Sequence, residues 1–213
     1  MKRSPFSILE PAGTTAVQVA LAAALAVSVL AGCEKKVSRG WTTHRFDIAR
    51  SGITEEDIGT TLSPAWVFRP AHPPKPAWYR TQEEMPRSRF DNAHYVAAAH
   101  GKVYFGSTVD NKVYALDADS GEIDWSFFTE GPVRTAPSVY GNRLYFGSDD
   151  GYVYCLNAGN GRLVWKYRAG PRSEKLLGNG TMISLWPVRS SVLVDDDTVY
   201  FTAGVFPYEG IYI

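Results

Sequence analysis

Short segments in which apolar and polar residues alternate recur along the second half of the chain. Residues 102–106 and 111–116 are rich in aromatic and β-branched side chains, and residues 143–147 and 151–156 repeat their pattern. Alternation with a period of two predicts β-strands, whereas an amphipathic helix would place its apolar residues at a period of 3.6. The segments are bounded by Gly, Asp and Asn, which favour tight turns between antiparallel strands.

Each repeat closes with a glycine that is followed four positions later by a tryptophan. Gly121 precedes Trp125 and Gly161 precedes Trp165, so the repeat length is 165 − 125 = 40 residues. A period of about 40 that contains several short strands is typical of β-propeller blades. The pattern therefore predicts an all-β fold, a β-propeller of four-stranded antiparallel blades.

A third repeat begins but is not completed. Residues 188–194 match 133–139 at an offset of 189 − 134 = 55, which places an insertion between Ser173 and Trp186. A propeller ring needs about 4 to 8 blades, so we expect this chain to be the N-terminal fragment of a longer protein. The predicted blades are 93–132, 133–187 and a truncated 188–213.

The first 33 residues predict a bacterial lipoprotein signal peptide. A basic start is followed by an apolar run at 16–31, which is shorter than the ~20 residues of a spanning helix and suits a signal-peptide core. The run ends in Leu-Ala-Gly-Cys, which resembles a lipobox with Cys33 as the lipidated residue. The alternative is a chance cysteine after an apolar leader. We expect an exported protein, anchored in the membrane on the periplasmic side of the cell envelope.

The segment 34–92 links this leader to the first predicted blade. Residues 66–68, Trp-Val-Phe, are expected to form a strand that completes the last blade of the ring. The prolines that follow at 73, 74 and 76 interrupt regular structure. Residues 78–89 are charged and irregular, so we expect an insertion on the propeller face.

Composition narrows the functional classes. Lys and Arg total 22 and Asp and Glu total 22, so no net charge favours nucleic-acid binding. Of the two cysteines, Cys33 would be lipidated, and Cys155 is expected to be a small buried apolar residue in a strand. Neither a haem-attachment motif nor zinc-ligand spacing occurs in the sequence.

Three basic residues occupy equivalent positions at the start of successive blades. His94 and Arg134 are 134 − 94 = 40 positions apart, and Arg134 aligns with Arg189. Converging at one mouth of the central channel, they would suit an anionic ligand such as a carboxylate. The alternative is that they pair with Asp or Glu of neighbouring loops. Residues 195–197 are three aspartates at a predicted hairpin tip, so we assign them no metal. We also assign no catalytic residue.

Residues 115–125 resemble the tryptophan-docking repeat of the pyrroloquinoline-quinone (PQQ) propellers, and 155–165 repeat it with Asn157 and Asn160 as departures. The likeness extends from Trp41 to the last residue. It implies that each tryptophan stacks on the glycine turn of the next blade, a structural and not a catalytic role. The implied docking residues are Gly121, Trp125, Gly161 and Trp165.

The same resemblance implies two functions of different class. The family includes cofactor-free scaffolds, such as the barrel-assembly lipoprotein of outer membranes, and quinoprotein dehydrogenases. We favour a cell-envelope lipoprotein whose propeller is a binding or scaffolding module for envelope proteins. The alternative is the N-terminal part of a PQQ-dependent dehydrogenase that oxidises alcohols or sugars, with PQQ and calcium in the channel. No adjacent cysteine pair of the kind associated with quinoprotein alcohol dehydrogenases is present.

The signal-peptide interpretation is tested by changing the lipidated residue. Metabolic labelling with a palmitate analogue should tag the wild-type protein and should not tag Cys33→Ser, because serine lacks the thiol that accepts the lipid. Labelled protein is detected by gel fluorescence of the membrane fraction. Equal labelling of the two proteins would rule out Cys33 as the acylated residue.

Overall fold

A computed structural model describes residues 40–78, 91–178 and 180–213. The predicted signal peptide, with Cys33, lies outside these residues, as does most of the predicted insertion at 78–89. Twelve β-strands and the short 3₁₀ helix Pro207–Glu209 form within the described ranges. None of the described residues belongs to a helix of the length and apolarity that a membrane span requires.

Two four-stranded antiparallel sheets form the centre of the structure, which confirms the predicted fold class. Each sheet follows chain order, with every strand hydrogen-bonded to the next. The first sheet lies inside the predicted unit 93–132 and the second inside 133–187. The first contains β1 (Val96–Ala99), β2 (Lys102–Gly106), β3 (Lys112–Asp117) and β4 (Ile123–Phe128), and the second contains β5 (Ser138–Tyr140), β6 (Arg143–Gly147), β7 (Tyr152–Asn157) and β8 (Leu163–Arg168).

Tight turns between the strands follow from their sequences. β1 and β2 are joined by His100 and Gly101, which have φ of 54° and 70°, as a two-residue type I′ hairpin requires. Between β3 and β4, the carboxylate Oδ1 of Asp117 accepts the backbone N–H of Ser120 at 2.8 Å. In the second sheet the amide Oδ1 of Asn157 accepts the equivalent N–H of Asn160 at 3.1 Å. Asn therefore replaces Asp in this turn without loss of the bond.

The two sheets pack face to face and bury a shared core. Strands β2 and β3 of the first sheet and β6 and β7 of the second contribute its largest side chains. Within the second sheet, the rings of Phe146 and Tyr154 stack at 5.2 Å. Because the alternating apolar residues of each sheet face a neighbour, their burial is the main stabilising contribution. The fully buried members include Tyr104, Val113, Ala115, Val133, Leu144, Phe146 and Leu156.

The third unit is less regular than the first two. It contains the hairpin of β11 (Leu193–Asp195) and β12 (Thr198–Tyr200), and an isolated bridge between Ala203 and Tyr212. The predicted insertion before this unit forms a second hairpin, β9 (Lys175–Gly178) and β10 (Thr181–Ser184). The third unit packs on the second sheet through a cluster that contains Val153, Trp186, Val188, Val192 and Val194.

Trp125 links the first sheet to the second. Its indole Nε1 donates to the carbonyl of Ala158 at 3.1 Å. The ring lies against Gly161, where φ is 69° and an added Cβ would come within 2.6 Å of the ring. A side chain at this turn would therefore meet the tryptophan and a strained backbone together.

Trp66 makes the same contact with the first sheet. Its Nε1 donates to the carbonyl of Ala118 at 2.9 Å, and its ring lies against Gly121. Residues 66–68 form no strand in this structure, because none of the described residues pairs with them. Their place in the last blade of a closed ring stays a prediction. The contact of Trp66 with the first sheet has the same form as the contact of Trp125 with the second sheet.

Changes at Trp125 should separate its ring contact from its hydrogen bond. Trp125→Ala should lower the free energy of unfolding by about 3 kcal/mol, the lower end of the range for aromatic truncation, because the ring is only partly buried. Trp125→Phe keeps an aromatic ring and should cost about 1 kcal/mol for the lost N–H bond. Urea denaturation measures both, with the fully exposed Tyr208→Ala as the control. A Trp125→Ala protein as stable as that control would refute the docking role.

Candidate functional site

A buried network of two arginines and two aspartates joins the successive units near the starts of their first strands. Arg134 lies before β5 and donates from Nε to Oδ2 of Asp149 at 2.6 Å, and its Nη1 is ion-paired with Asp91. Arg189 lies before β11 and donates to both oxygens of Asp149, at 2.8 and 3.0 Å. Both aspartates are fully buried.

Asp149 connects the second sheet to the third unit. It lies in the turn between β6 and β7 and accepts hydrogen bonds from arginines on either side of it along the chain. Two positive and two negative charges make the network neutral overall. Removal of one member would leave a buried charge unpaired, which is the costly case for buried ions.

A segment that precedes the first sheet lies over this network. The carbonyl of Lys75 accepts Nη1 of Arg134 at 3.0 Å, and the N–H of Ala77 donates to Oδ2 of Asp91 at 2.8 Å. The ring of Trp78 lies 5.8 Å from the guanidinium carbon of Arg189, within cation–π range. The segment Lys75 to Trp78 thus covers the ion pairs through one backbone acceptor, one backbone donor and one ring.

The structure brings together two of the three predicted ligand-binding residues. Arg134 and Arg189 meet on Asp149, whereas His94 packs its ring 4.9 Å from that of Phe105 and places Nδ1 3.1 Å from the carbonyl of Gly106. Among the described residues, no hydrogen bond joins His94 to either arginine. Ligand binding by these three residues therefore stays a prediction.

The paired arginines of this network do not suit the carboxylates of PQQ. The cofactor's carboxylates need cationic donors, but the guanidinium groups of Arg134 and Arg189 are already matched by buried carboxylates. This cluster does not fit PQQ in the arrangement observed. We therefore derive no chemistry of the cofactor from it.

A loop of residues 41–52, the N-terminal loop, lies across the first strands of both sheets. The carbonyl of Trp41 accepts the N–H of Ala98 in β1, and the carbonyl of Thr42 accepts the N–H of Val139 in β5, both at 2.7 Å. Further along the loop, Arg50 reaches the third unit and donates to the carbonyl of Ser191 at 3.4 Å. The loop thus contacts all three units.

Part of this loop has an unusual backbone. Arg45, Phe46 and Arg50 have φ of 61°, 79° and 57°, in the left-handed region that bulky side chains rarely adopt. Such residues persist only where surrounding contacts hold them. Backbone bonds within the loop provide those contacts: the N–H of Phe46 donates to the carbonyl of Thr43 at 3.1 Å, and the N–H of Gly52 donates to the carbonyl of Arg45 at 2.9 Å.

A cavity of about 350 Å³ lies between the loop and the sheets. Burial, and then the positive charges of Arg50 and Arg45, hold the pKa of His44 below its ordinary value. Ring and polar side chains line this cavity together. The lining residues are His44, Tyr95, Thr135, Ala136, Arg189 and Ser191.

Sequence reasoning missed Asp149 because its role is not repeated. The neighbouring Asp150 has a counterpart in Asp110, and each accepts the hydroxyl of a tyrosine four positions later, at 2.7 and 3.0 Å. That repeated pair is internal to each sheet. Asp149 has no such counterpart and bonds across units, so no periodic signal marks it.

The other residues singled out in the sequence are a cysteine, a run of aspartates and a tryptophan. Cys155 is buried, and burial raises the pKa of its thiol. The aspartates 195–197 are exposed at the turn between β11 and β12. Within the described ranges, no group of three or more His, Cys, Asp or Glu residues is placed to hold a metal ion. Trp165 packs 6.0 Å from Tyr145 and lines an apolar cavity beside the third unit.

Known proteins resemble more than half of this chain. Residues 59–204 match the model of a family described as outer membrane protein assembly factor BamB. A tetrathionate hydrolase of Acidithiobacillus ferrooxidans is 30% identical over 98 residues, which cover 46% of this chain and 17% of that protein. A quinoprotein ethanol dehydrogenase of Pseudomonas aeruginosa is 29% identical, covering 43% and 16%. The BamB of Taylorella asinigenitalis is 26% identical, covering 46% and 24%.

Among solved structures, the quinohemoprotein alcohol dehydrogenase of Comamonas testosteroni superposes with a TM-score of 0.50. The match covers 81% of this chain and 24% of that one at 14% identity, so it indicates a shared fold alone. The chain thus spans about a quarter or less of the length of each of these proteins.

The bridging role of Asp149 predicts a large stability effect. Asp149→Asn should lower the free energy of unfolding by about 3–5 kcal/mol, because Arg189 loses its carboxylate partner and Arg134 keeps only Asp91. The exposed Asp195→Asn is the matched control and should stay within about 0.5 kcal/mol of wild type. Both are measured by urea denaturation. If Asp149→Asn matched its control, the network would not hold the units together.

Proposed function

We propose, because the chain belongs to the BamB-like family of PQQ-repeat β-propellers, that it is a binding and scaffolding module of the bacterial cell envelope. Outer membrane protein assembly is the role in the description of that family and in the name of the Taylorella relative. We extend it to this chain as its function, with envelope proteins as its partners. The predicted acylation of Cys33 would hold the propeller at a membrane.

The observation that supports this proposal best is that the arginines of the buried network are already paired with aspartates. Arg134 and Arg189 are engaged in ion pairs with fully buried aspartates, and the segment Lys75 to Trp78 covers them. These ion pairs stabilise the contact between the units. A partner would therefore bind to a rigid assembly of sheets. A preorganised surface loses little conformational entropy on binding, which suits a scaffold.

The alternative is the N-terminal part of a PQQ-dependent dehydrogenase with bound calcium. It is favoured by the 29% identity to the Pseudomonas aeruginosa ethanol dehydrogenase. Against it, the central arginines are matched by carboxylates, so they do not fit the cofactor. Because the chain covers 16% of that protein, this alternative depends on residues elsewhere in a whole dehydrogenase.

Loss of the protein should impair outer-membrane assembly if the scaffold proposal is right. In cells that lack the gene, the fraction of β-barrel proteins that migrate as the folded form on unheated gels should fall, and the wild-type gene should restore it. Restoration by Cys33→Ser should be weaker, because this variant lacks the proposed anchor. Unchanged barrel folding in the deletion strain would refute the assembly role.

A spectroscopic experiment distinguishes the alternative. The full-length gene product mixed with PQQ and Ca²⁺ should show, after gel filtration, the absorbance of protein alone. Co-elution of stoichiometric PQQ, together with alcohol-dependent reduction of a dye, would establish the dehydrogenase instead.

A further inference from the structure

Arg50 in the N-terminal loop is a partly buried cation without a carboxylate partner among the residues that the structure describes. Within the described part of the chain, its guanidinium donates to two carbonyl oxygens, those of His44 at 3.5 Å and Ser191 at 3.4 Å. These bonds are long for charge-assisted contacts, which are commonly 2.7–2.9 Å. By contrast, Arg134 and Arg189 have close carboxylate partners.

The nearby acid of the same loop is already engaged. Both oxygens of Asp47 accept hydrogen bonds from Ser51, from the backbone N–H at 2.8 Å and from the hydroxyl at 2.7 Å. These bonds keep the pKa of Asp47 below its ordinary value. Arg45 also lies in this loop, and no ion pair joins either loop arginine to a described carboxylate. The loop therefore has excess positive charge.

Arg50 is not itself a lining residue of the 350 Å³ cavity, but it is connected to the cavity through its two hydrogen-bond acceptors. Both residues whose carbonyls Arg50 contacts, His44 and Ser191, line that cavity. Burial lowers the pKa of His44 most, and the positive charges of Arg50 and then Arg45 lower it further. The rings of His44 and Tyr95 meet edge to face at 6.3 Å and give the cavity an aromatic wall.

We propose that this cavity binds a small organic carboxylate, with Arg50 as its cationic partner and the rings of His44 and Tyr95 against its apolar body. The volume is at the lower end of the ~300–1,000 Å³ of small-molecule sites, which suits a single-ring ligand. A carboxylate can take both donors of a guanidinium in a bidentate pair. Exchange of two long carbonyl contacts for that pair favours binding. Arg189 also lines the cavity but is paired with Asp149. The proposed contacts are those of Arg50, His44 and Tyr95, so the proposal does not depend on the scaffold function.

Benzoate and its neutral isostere benzamide test the charge requirement on the full chain by isothermal titration calorimetry. Benzoate should bind saturably and benzamide should not. Arg50→Gln should weaken benzoate binding by about tenfold to a hundredfold, the range for loss of a charge-assisted bond. Arg162→Gln, at an exposed position between β7 and β8, should leave the affinity unchanged. Absence of benzoate binding, equal binding of benzamide, or full affinity in Arg50→Gln would each overturn the proposal.

A second readout on the unmodified chain does not depend on the stability of a variant. A bound carboxylate favours the protonated imidazole, so saturating benzoate should raise the pKa of His44 measured by NMR titration. The resonance is assigned by its loss in His44→Gln. A pKa of His44 that does not move under saturating benzoate would exclude binding at this cavity.

Discussion

The close approach of one sheet to the next is the constraint on which the rest of the structure depends. A single four-stranded sheet has two faces and cannot bury both by itself. At the outer edge, a tryptophan ring lies directly on the backbone of the next turn, which leaves no room for a Cβ at Gly161. The indole N–H reaches the carbonyl of Ala158 in the same turn, so the ring buries apolar surface without leaving its donor unpaired.

At the inner edge, the same spacing permits the ion pairs. Asp149 of the second sheet meets an arginine from its own unit and one from the third unit. The contact with Arg189 forms only when the second and third units keep the observed separation, since hydrogen bonds weaken steeply with distance and angle. The tryptophan contact at the outer edge and the ion pairs at the inner edge therefore stabilise the same spacing between units.

The N-terminal loop adds a different kind of contact, because it crosses units without repeating. Backbone bonds at Trp41 and Thr42 attach it to β1 and β5, and a bond within the loop, from the N–H of Phe46 to the carbonyl of Thr43, accompanies the φ of 79° at Phe46. The loop closes one side of a cavity and contributes Arg50, whose charge no described carboxylate matches. The molecule thus combines stacked sheets with a cavity that residues of the loop and of the third unit line together.

The sequence by itself determined the all-β fold, the four-stranded repeat, and the positions of Trp125 and Trp165 within it. These features could be predicted because alternation, turn residues and the 40-residue period are local or repeated along the chain. It also aligned Arg134 with Arg189, but it could not pair them with Asp149. The choice between a ligand site and ion pairs depended on a residue that has no counterpart in the other units.

Tertiary structure alone decided which unrepeated residues meet. Arg50 contacts Ser191, 141 positions away, and Trp66 docks on a turn 52 positions away. Neither pair has a periodic relation in the sequence, because each contact is made where a loop outside the repeats crosses or joins the stacked sheets. Repetition along the chain predicts the sheets, whereas the geometry of their stacking determines the charged centre and the cavity beside it.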